Sequence, residues 1–195
     1  VDLVRVGEDL EVADEVTGSN PFGAAIIGSS GNVVVTGSFG GGWSFLQTVS
    51  IPVSGHVAVQ VQLTNHTGAT ATNVQWGVGL DPDQGVPGGM GFGTTNVINA
   101  LGNNAAVTAT SLDGWSLTLH NTTSAAASAI NPYVDPFSCC SPVDPGAMLA
   151  AAQGIGNYGF ADSSINLAYD LGTVQNGHSV TIGYEYVMAV PEPET

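Results

Sequence analysis

Oxygen-bearing side chains are concentrated in the segment LDPDQG, where Asp81 and Asp83 flank a proline and Gln84 follows. Carboxylate and amide carbonyl oxygens are the ligands that a hard cation such as Ca²⁺ accepts. The segment lacks the spacing and the closing Glu of an EF-hand loop, and Asp-Pro-Asp is also an ordinary turn sequence. We therefore predict a calcium site at Asp81, Asp83 and Gln84, with a plain surface turn as the alternative.

The two cysteines, Cys139 and Cys140, are adjacent in the sequence. Neighbouring Cα atoms lie about 3.8 Å apart, whereas disulfides favour roughly 4.4 to 6.8 Å, so a bond between the two would close a strained ring. The four histidines are scattered and do not show the spacing of a structural zinc site. Three interpretations stay open: the strained ring, an interchain disulfide, or two partly buried cysteines in a loop.

Motifs of known enzyme classes give weak signals. Gly154, Gly156 and Gly159 match the spacing G-x-G-x-x-G, but they follow a predicted helix and no βαβ unit surrounds them. In a chain with 27 glycines we interpret this match as chance. The sequence has no G-x-S-x-G motif, and no local pattern places a Ser beside a His and a carboxylate. We therefore predict that the protein is not an enzyme.

The charge balance excludes several classes of partner. Arg5 is the one Lys or Arg against sixteen Asp and Glu residues, which gives a net charge of −15. Nucleic-acid binding needs several cations to displace counterions, and an anionic membrane would repel this chain. No apolar run of about 18 residues predicts a membrane span. Because only 9% of residues are charged, the surface must consist largely of Ser, Thr, Asn, Gln and Gly, which suggests an extracellular protein. The sequence begins at Val1 with no basic segment followed by an apolar segment, so we expect that a signal peptide, if the gene encodes one, has been removed.

Hydrophobic residues alternate with period two along most of the chain. In residues 57–63 four apolar side chains share one face, and a second alternating run spans 180–188. Turn residues separate further apolar runs, as in antiparallel sheets. We assign Trp76 and Trp115 to the core, because both lie in strand patterns, and Trp43 to the surface, because it follows a glycine run.

These patterns predict an all-β fold: an antiparallel β-sandwich, Ig-like or jelly-roll-like, with one short helix near 145–153. Asp144 can cap this helix, Pro145 suits its first position, and Gly154 can end it. Residues 81–96 are too rich in Gly and Pro for a strand and predict a long loop. We expect a single domain over 1–189, with 1–12 as an N-terminal arm that can be exchanged between subunits and 190–195 as a tail.

The tail carries a resemblance to a known signal. Val190, Pro191, Glu192, Pro193 and Thr195 resemble the Val-Pro-Glu-Pro motif that opens the PEP-CTERM sorting signal of secreted proteins in many Gram-negative bacteria. There a hydrophobic helix and a basic cluster follow the motif and an exosortase acts on the segment, whereas here the match ends with the motif. The resemblance implies a protein at the cell surface or in the extracellular matrix of a Gram-negative-type bacterium, with an exosortase as its processing partner.

Two longer segments resemble Ig-like repeats of bacterial surface proteins. Residues 57–85 have the strand, Thr-Asn-x-Thr-Gly turn and strand of such repeats, and residues 165–189 are similar to their closing hairpin. This resemblance implies a β-sandwich used for surface architecture or adhesion, and it implies no activity.

Two functions are consistent with a secreted sheet protein. The first is a structural subunit of a fibre, sheath or matrix that binds copies of itself, because an open strand edge can accept a strand from a neighbour and head-to-tail contacts build filaments. For this contact we predict the interface residues Val1, Leu3, Arg5, Val187 and Val190. The second is a cell-surface adhesin or carbohydrate-binding module, in which exposed aromatic side chains stack on sugars.

Overall fold

The computed structural model describes residues 2–6, 9–13, 25–27, 31–123, 127, 129–136, 139–140 and 143–191. Before residue 31 it describes the backbone alone. Val1, Glu192, Pro193 and Thr195 therefore lie outside the described residues, as do the side chains of Leu3 and Arg5. The predictions made for them stay predictions.

The described residues form fourteen strands and one α-helix. The strands are β1 (Asp2–Val6), β2 (Asp9–Ala13), β3 (Ala25–Ile27), β4 (Val33–Phe39), β5 (Trp43–Ser50), β6 (His56–Asn65), β7 (Ala71–Leu80), β8 (Thr94–Ala100), β9 (Ala106–Thr110), β10 (Ser116–Asn121), β11 (Ala129–Val134), β12 (Gly156–Ala161), β13 (Ile165–Val174) and β14 (Ser179–Ala189). The helix α1 spans Pro145–Ala150, and short 3-10 turns span Val86–Gly88 and Gly102–Asn104.

The strands build two antiparallel sheets. The smaller sheet has the order β11-β13-β7-β1-β2, and the larger has the order β12-β8-β9-β10-β14-β6-β5-β4-β3. Buried side chains from both sheets form one hydrophobic cluster between them. The predicted antiparallel β-sandwich is therefore confirmed. Strand β1 lies between β7 and β2 of its own chain, so residues 2–6 form an internal strand here.

The alternation in the sequence matches the burial of side chains in the larger sheet. In β6, Val61 and Leu63 are fully buried, while Gln60 and Gln62 are exposed on the opposite face. In β14, which pairs with β6 along its length, Ile182 is buried in the same way. One face of this sheet therefore packs against the core, and polar side chains lie on the other face.

The three tryptophans are only partly where the sequence predicts them. Trp76 is fully buried and its ring stacks on Phe45 with 5.7 Å between the centroids, as expected. Trp43 was predicted at the surface but is buried, because the glycine turn before it folds β4 onto β5 and brings its ring 6.0 Å from that of Phe39. Trp115 was predicted in the core but is 44% exposed, because it lies in the turn before β10.

The helix forms where it is predicted but is shorter. Asp144 caps it, since its Oδ1 accepts a hydrogen bond from the Gly146 amide at 2.7 Å, and Pro145 occupies the first helical position. The helix ends at Ala150, before the predicted stop at Gly154. In the described part of the chain, no helix has the length and apolar character needed to cross a bilayer.

Two Asn-x-Thr segments end strands of the larger sheet. The buried amide of Asn65 donates to the carbonyls of Ala69 and Val174, both at 2.8 Å, and its Oδ1 accepts from Thr67. Asn121, at the end of β10, accepts from the amide of Thr123 in the same manner. Because both side chains are buried and hydrogen-bonded, these segments act as Asx turns that connect strands.

The burial pattern predicts opposite results for one substitution at two sites. Leu63→Ala removes a fully buried side chain and should lower the free energy of unfolding by about 2–5 kcal/mol. Leu112→Ala, at a side chain that is 65% exposed, should change it by less than about 0.5 kcal/mol. Urea unfolding followed by tryptophan fluorescence measures both, and equal effects would contradict the described core.

Candidate functional site

Three aspartates meet at one end of the sandwich. Asp81 directly follows β7, Asp83 lies two residues further along the same loop, and Asp162 directly follows β12. One carboxylate oxygen of each lies within 4.8 Å of the other two. We call these three residues the acidic cluster. The fold thus adds Asp162, from a distant strand, to the two aspartates that the sequence singled out.

Burial and mutual repulsion shape the electrostatics of the acidic cluster. Burial is the largest cause that raises the pKa of Asp81, from 3.8 to about 6, and the charges of Asp83 and Asp162 add to it. Burial and the charge of Asp162 also raise the pKa of Asp83. Such shifts are typical of carboxyl groups whose mutual repulsion would be reduced by a proton or a cation bound between them.

The predicted ligand oxygens lack donors in the part of the chain that the structure describes. Oδ1 of Asp81, Oδ1 of Asp83 and Oε1 of Gln84 are all buried and accept no hydrogen bond from the described residues. The amide nitrogen of Gln84 donates to the carbonyls of Ala109 at 2.9 Å and Trp115 at 3.2 Å. Gln84 therefore anchors the loop to the turn before β10, and its carbonyl oxygen remains available.

A disulfide between Cys139 and Cys140 lies beside the acidic cluster. Of the interpretations left open by the sequence, the structure contains the ring closed between neighbours, with the two Cα atoms 3.7 Å apart. Sγ of Cys140 lies 3.4 Å from Oδ2 of Asp81. An uncharged sulfur in this place excludes water from that carboxylate, which is consistent with burial being the main cause of its raised pKa.

A groove of about 490 Å³ crosses the outer face of the larger sheet. Most of its lining side chains carry hydroxyl or amide groups: Thr48, Ser50, Gln60, Thr122, Thr123 and Thr181. Its floor contains Gly183, where a Cβ atom would lie 2.7 Å from the hydroxyl oxygen of Thr122. The absence of a side chain at Gly183 therefore lets the segment after β10 fold over β14 and form one wall of the groove.

A carboxylate held between two imidazoles flanks this groove. Nδ1 of His56 lies 3.2 Å from one carboxylate oxygen of Glu185, and Nδ1 of His120 lies 3.2 Å from the other. Burial alone would raise the pKa of Glu185, but the hydrogen bonds and charges of the two histidines outweigh it and lower this pKa. Glu185 pairs across the sheet with Ala58, which lines the groove, so the three residues lie at one end of it.

Sequence reasoning missed Asp162, the lining of the groove and the three residues at its end. Asp162 carries a weak signal, because it directly follows an exposed strand that was not predicted. His56, His120 and Glu185 lie at outward positions of three strands, and only the order β10-β14-β6 brings them together. Of the predicted interface residues, Val187 lies on this outer face opposite His56, and Val190 is exposed beyond the end of β14.

Comparison with known proteins shows the fold. No protein-family model and no curated protein matches the sequence. The chain is similar to part of a protein assigned as a kojibiose phosphorylase from human microbiome, with a TM-score of 0.56 and 10% identity over 96% of this chain. It is also similar to part of a polysaccharide lyase, with a TM-score of 0.52 and 16% identity over 98% of this chain.

The chain spans 21% of the length of the first of these proteins and 25% of the second. At such identities the likeness concerns the β-sandwich and not its site residues. The fold of this chain is thus one that also occurs as a part of proteins acting on carbohydrates.

The raised pKa of Asp81 predicts how stability depends on pH. In the folded chain Asp81 binds its proton more tightly than in the unfolded chain, so this contribution to stability is lost as the pH rises from 3.8 to about 6. Asp162→Asn removes a charge that raises the pKa of both loop aspartates. We expect lower pKa values for both and a shallower loss of stability, measured by carboxyl ¹³C NMR and by urea unfolding at several pH values.

Asp170→Asn is the matched control for this prediction. Oδ1 of Asp170 accepts a hydrogen bond from the Gly172 amide at 2.9 Å, which Asn preserves, and Asp170 lies in β13 away from the cluster. This variant should leave the titration of Asp81 unchanged. A value near 3.8 for Asp81 in the unsubstituted protein would contradict the described burial.

Proposed function

We propose that the protein is an extracellular glycan-binding module that holds a carbohydrate chain in the groove of the larger sheet without cleaving it. The observation that carries this proposal is the lining of the groove, in which six side chains present hydroxyl or amide groups. Sugars offer hydroxyl groups that donate and accept hydrogen bonds, and a protein binds them through side chains with the same capacity. The occurrence of this fold in two proteins that act on carbohydrates supports the choice of ligand class.

The arrangement of carboxylates supports binding over hydrolysis. Most glycoside hydrolases place two carboxyl groups on either side of the bond that they cleave. At the groove, Glu185 is the one carboxylate among the described residues, and both of its oxygens face imidazole nitrogens. The low content of charged residues and the disulfide are consistent with an extracellular location. On the basis of the Val-Pro-Glu-Pro motif, we also propose that an exosortase processes the protein and that it comes from a Gram-negative-type bacterium.

Glycan binding is tested with arrays of neutral, uronate-containing and sulfated oligosaccharides, probed with labelled protein at pH 5 and pH 8. We expect binding in at least one condition. Gln60→Ala, in the groove, should then weaken binding about two- to tenfold, because it removes one side-chain hydrogen-bonding group. Gln175→Ala makes the same change at an exposed turn and should leave affinity unchanged in isothermal titration calorimetry. If no oligosaccharide on the array binds at pH 5 and none binds at pH 8, the proposal is overturned.

We also propose that the acidic cluster holds Ca²⁺. Carboxylate oxygens within 4.8 Å of one another can contact a single ion at typical Ca²⁺–oxygen distances of about 2.3–2.6 Å. Asp81, Asp83 and Asp162 would hold the ion, and the carbonyl oxygen of Gln84 is a further candidate ligand on the same loop. The ion would neutralise the repulsion that, together with burial as the larger cause, raises the pKa of Asp81, and it would join the end of β7 to the end of β12.

Calcium binding is tested by comparing the thermal unfolding midpoint of the protein with added Ca²⁺ and the midpoint with a chelator in place of Ca²⁺. A ligand at about 100 times its Kd stabilises the folded state by about 2.7 kcal/mol, which corresponds to several degrees. The increase in the unfolding midpoint caused by Ca²⁺ should be larger at pH 7.5 than at pH 5. At pH 5 protons compete with Ca²⁺ for the carboxyl group of Asp81, whose pKa is raised. Asp162→Asn should abolish the increase and Asp170→Asn should keep it. No increase at pH 7.5 would contradict the calcium proposal while leaving glycan binding intact.

Assembly through strand edges is the second candidate function, and the exposure of β12 favours it. Among the described strands, β12 ends the larger sheet and pairs with β8 alone, and five of its six residues are exposed, including Phe160. Strand β3 ends the same sheet at the opposite edge. Pairing of β12 with β3 of a second copy would continue the sheet head-to-tail and generate a filament.

Assembly is tested by light scattering and electron microscopy at low and high salt. Copies that each carry −15 repel one another, so filaments should form more readily as salt screens this charge. Phe160→Glu adds a charge to the β12 edge and should abolish assembly, whereas Ile51→Glu, at a side chain in the turn before β6, should have no effect. A monomer under all salt conditions would contradict this second candidate.

A further inference from the structure

The groove has a chemically distinct end. His56 lies on β6, Glu185 on β14 and His120 on β10, all on the outer face, and each histidine uses Nδ1 toward a different oxygen of Glu185. An imidazole that donates its Nδ1 hydrogen to a carboxylate presents its Nε2 atom elsewhere. Both imidazoles are about one-third exposed, with 34% and 38% of their side-chain surface accessible, so a ligand in the groove can reach them.

The net charge of these three residues reverses with protonation. With neutral imidazoles the group carries the single negative charge of Glu185, and with both imidazoles protonated it carries one positive charge. At the same level, the flanking strands contribute Ser50 and Ala106, which do not titrate. Elsewhere on this part of the face, Val187 and Thr118 lie opposite one another and do not titrate either. Among the residues whose side chains the structure describes, the neighbouring positions therefore add no further charge that would mask the reversal.

We propose that His56 and His120, positioned by Glu185, form an anion subsite that takes the carboxylate or sulfate group of an acidic glycan in mild acid and releases it at higher pH. This inference rests on the proposed glycan-binding function of the groove. Protonated imidazoles donate charge-assisted hydrogen bonds from Nε2 to the anionic group, while the hydroxyl and amide side chains of the groove bind the neighbouring sugar units.

The composition of the chain explains why histidines would serve this role. Sixteen carboxylates oppose one Arg, so the surface repels acidic glycans at neutral pH. Glu185 holds the two imidazoles close together without a fixed positive charge, and its lowered pKa keeps it ionised while they gain protons. Mild acid then creates a local positive charge at the end of a groove that is otherwise uncharged in its described lining.

The glycan arrays at two pH values separate this inference from the function on which it rests. We expect glycans that contain uronate or sulfate to bind at pH 5 and to lose about tenfold or more in affinity at pH 8. Neutral glycans should bind with the same affinity at both. For each acidic glycan that binds, and for its methyl-esterified or desulfated form, calorimetry measures the ratio of the affinity at pH 5 to the affinity at pH 8.

Substitutions assign the effect to the subsite. His56→Gln and His120→Gln should each reduce the pH dependence for acidic glycans while leaving neutral or esterified glycans bound. His178→Gln makes the same change at an exposed turn residue and should behave as the unsubstituted protein. Binding that is equal at both pH values, or pH dependence that survives both substitutions, would overturn the anion subsite and leave glycan binding standing. No binding of any glycan would overturn the proposed function itself.

Discussion

Burial of alternate side chains between the two sheets is the constraint on which the rest of the structure depends. Alternate residues in 59–63 of β6 and in 180–186 of β14 lie in the core or pack against it, so the residues between them must face away from it. The ring of Trp76, stacked on Phe45, links the small sheet to the large one. The groove lies on the outer face because the inner face of the same strands is filled with apolar side chains.

A shortage of fixed cations gives both sites their chemistry. The chain has sixteen carboxylates and one Arg, so carboxylates that the fold brings together cannot rely on Lys or Arg for neutralisation. At the acidic cluster the result is a raised pKa for Asp81, because burial raises it and the charges of Asp83 and Asp162 add to this effect. At the groove the result is the opposite, because the two imidazoles around Glu185 lower its pKa. The same composition therefore produces one proton-binding cluster and one ionised carboxylate.

Predictability from the sequence differed between local and distant features. The cap at Asp144 and the alternation in β6 involve neighbours along the chain, and local rules located both. The exposure of Trp43 and Trp115 was predicted wrongly, because it depends on how a hairpin and a turn fold and not on strand patterns. Asp81 and Asp83 were found because they lie two residues apart, whereas Asp162 follows β12, which is far along the chain from the loop after β7.

The sequence by itself determined an acidic, sheet-forming chain with a polar face and an apolar face, because period-two alternation and charge balance are properties of neighbouring residues and of their sum. Tertiary structure alone decided which outward residues meet. Strand order places β14 between β6 and β10, so a glutamate and two histidines that are separated by up to 129 residues come within hydrogen-bonding distance. Pairing between distant strands depends on the summed packing of both sheets, which no local pattern encodes.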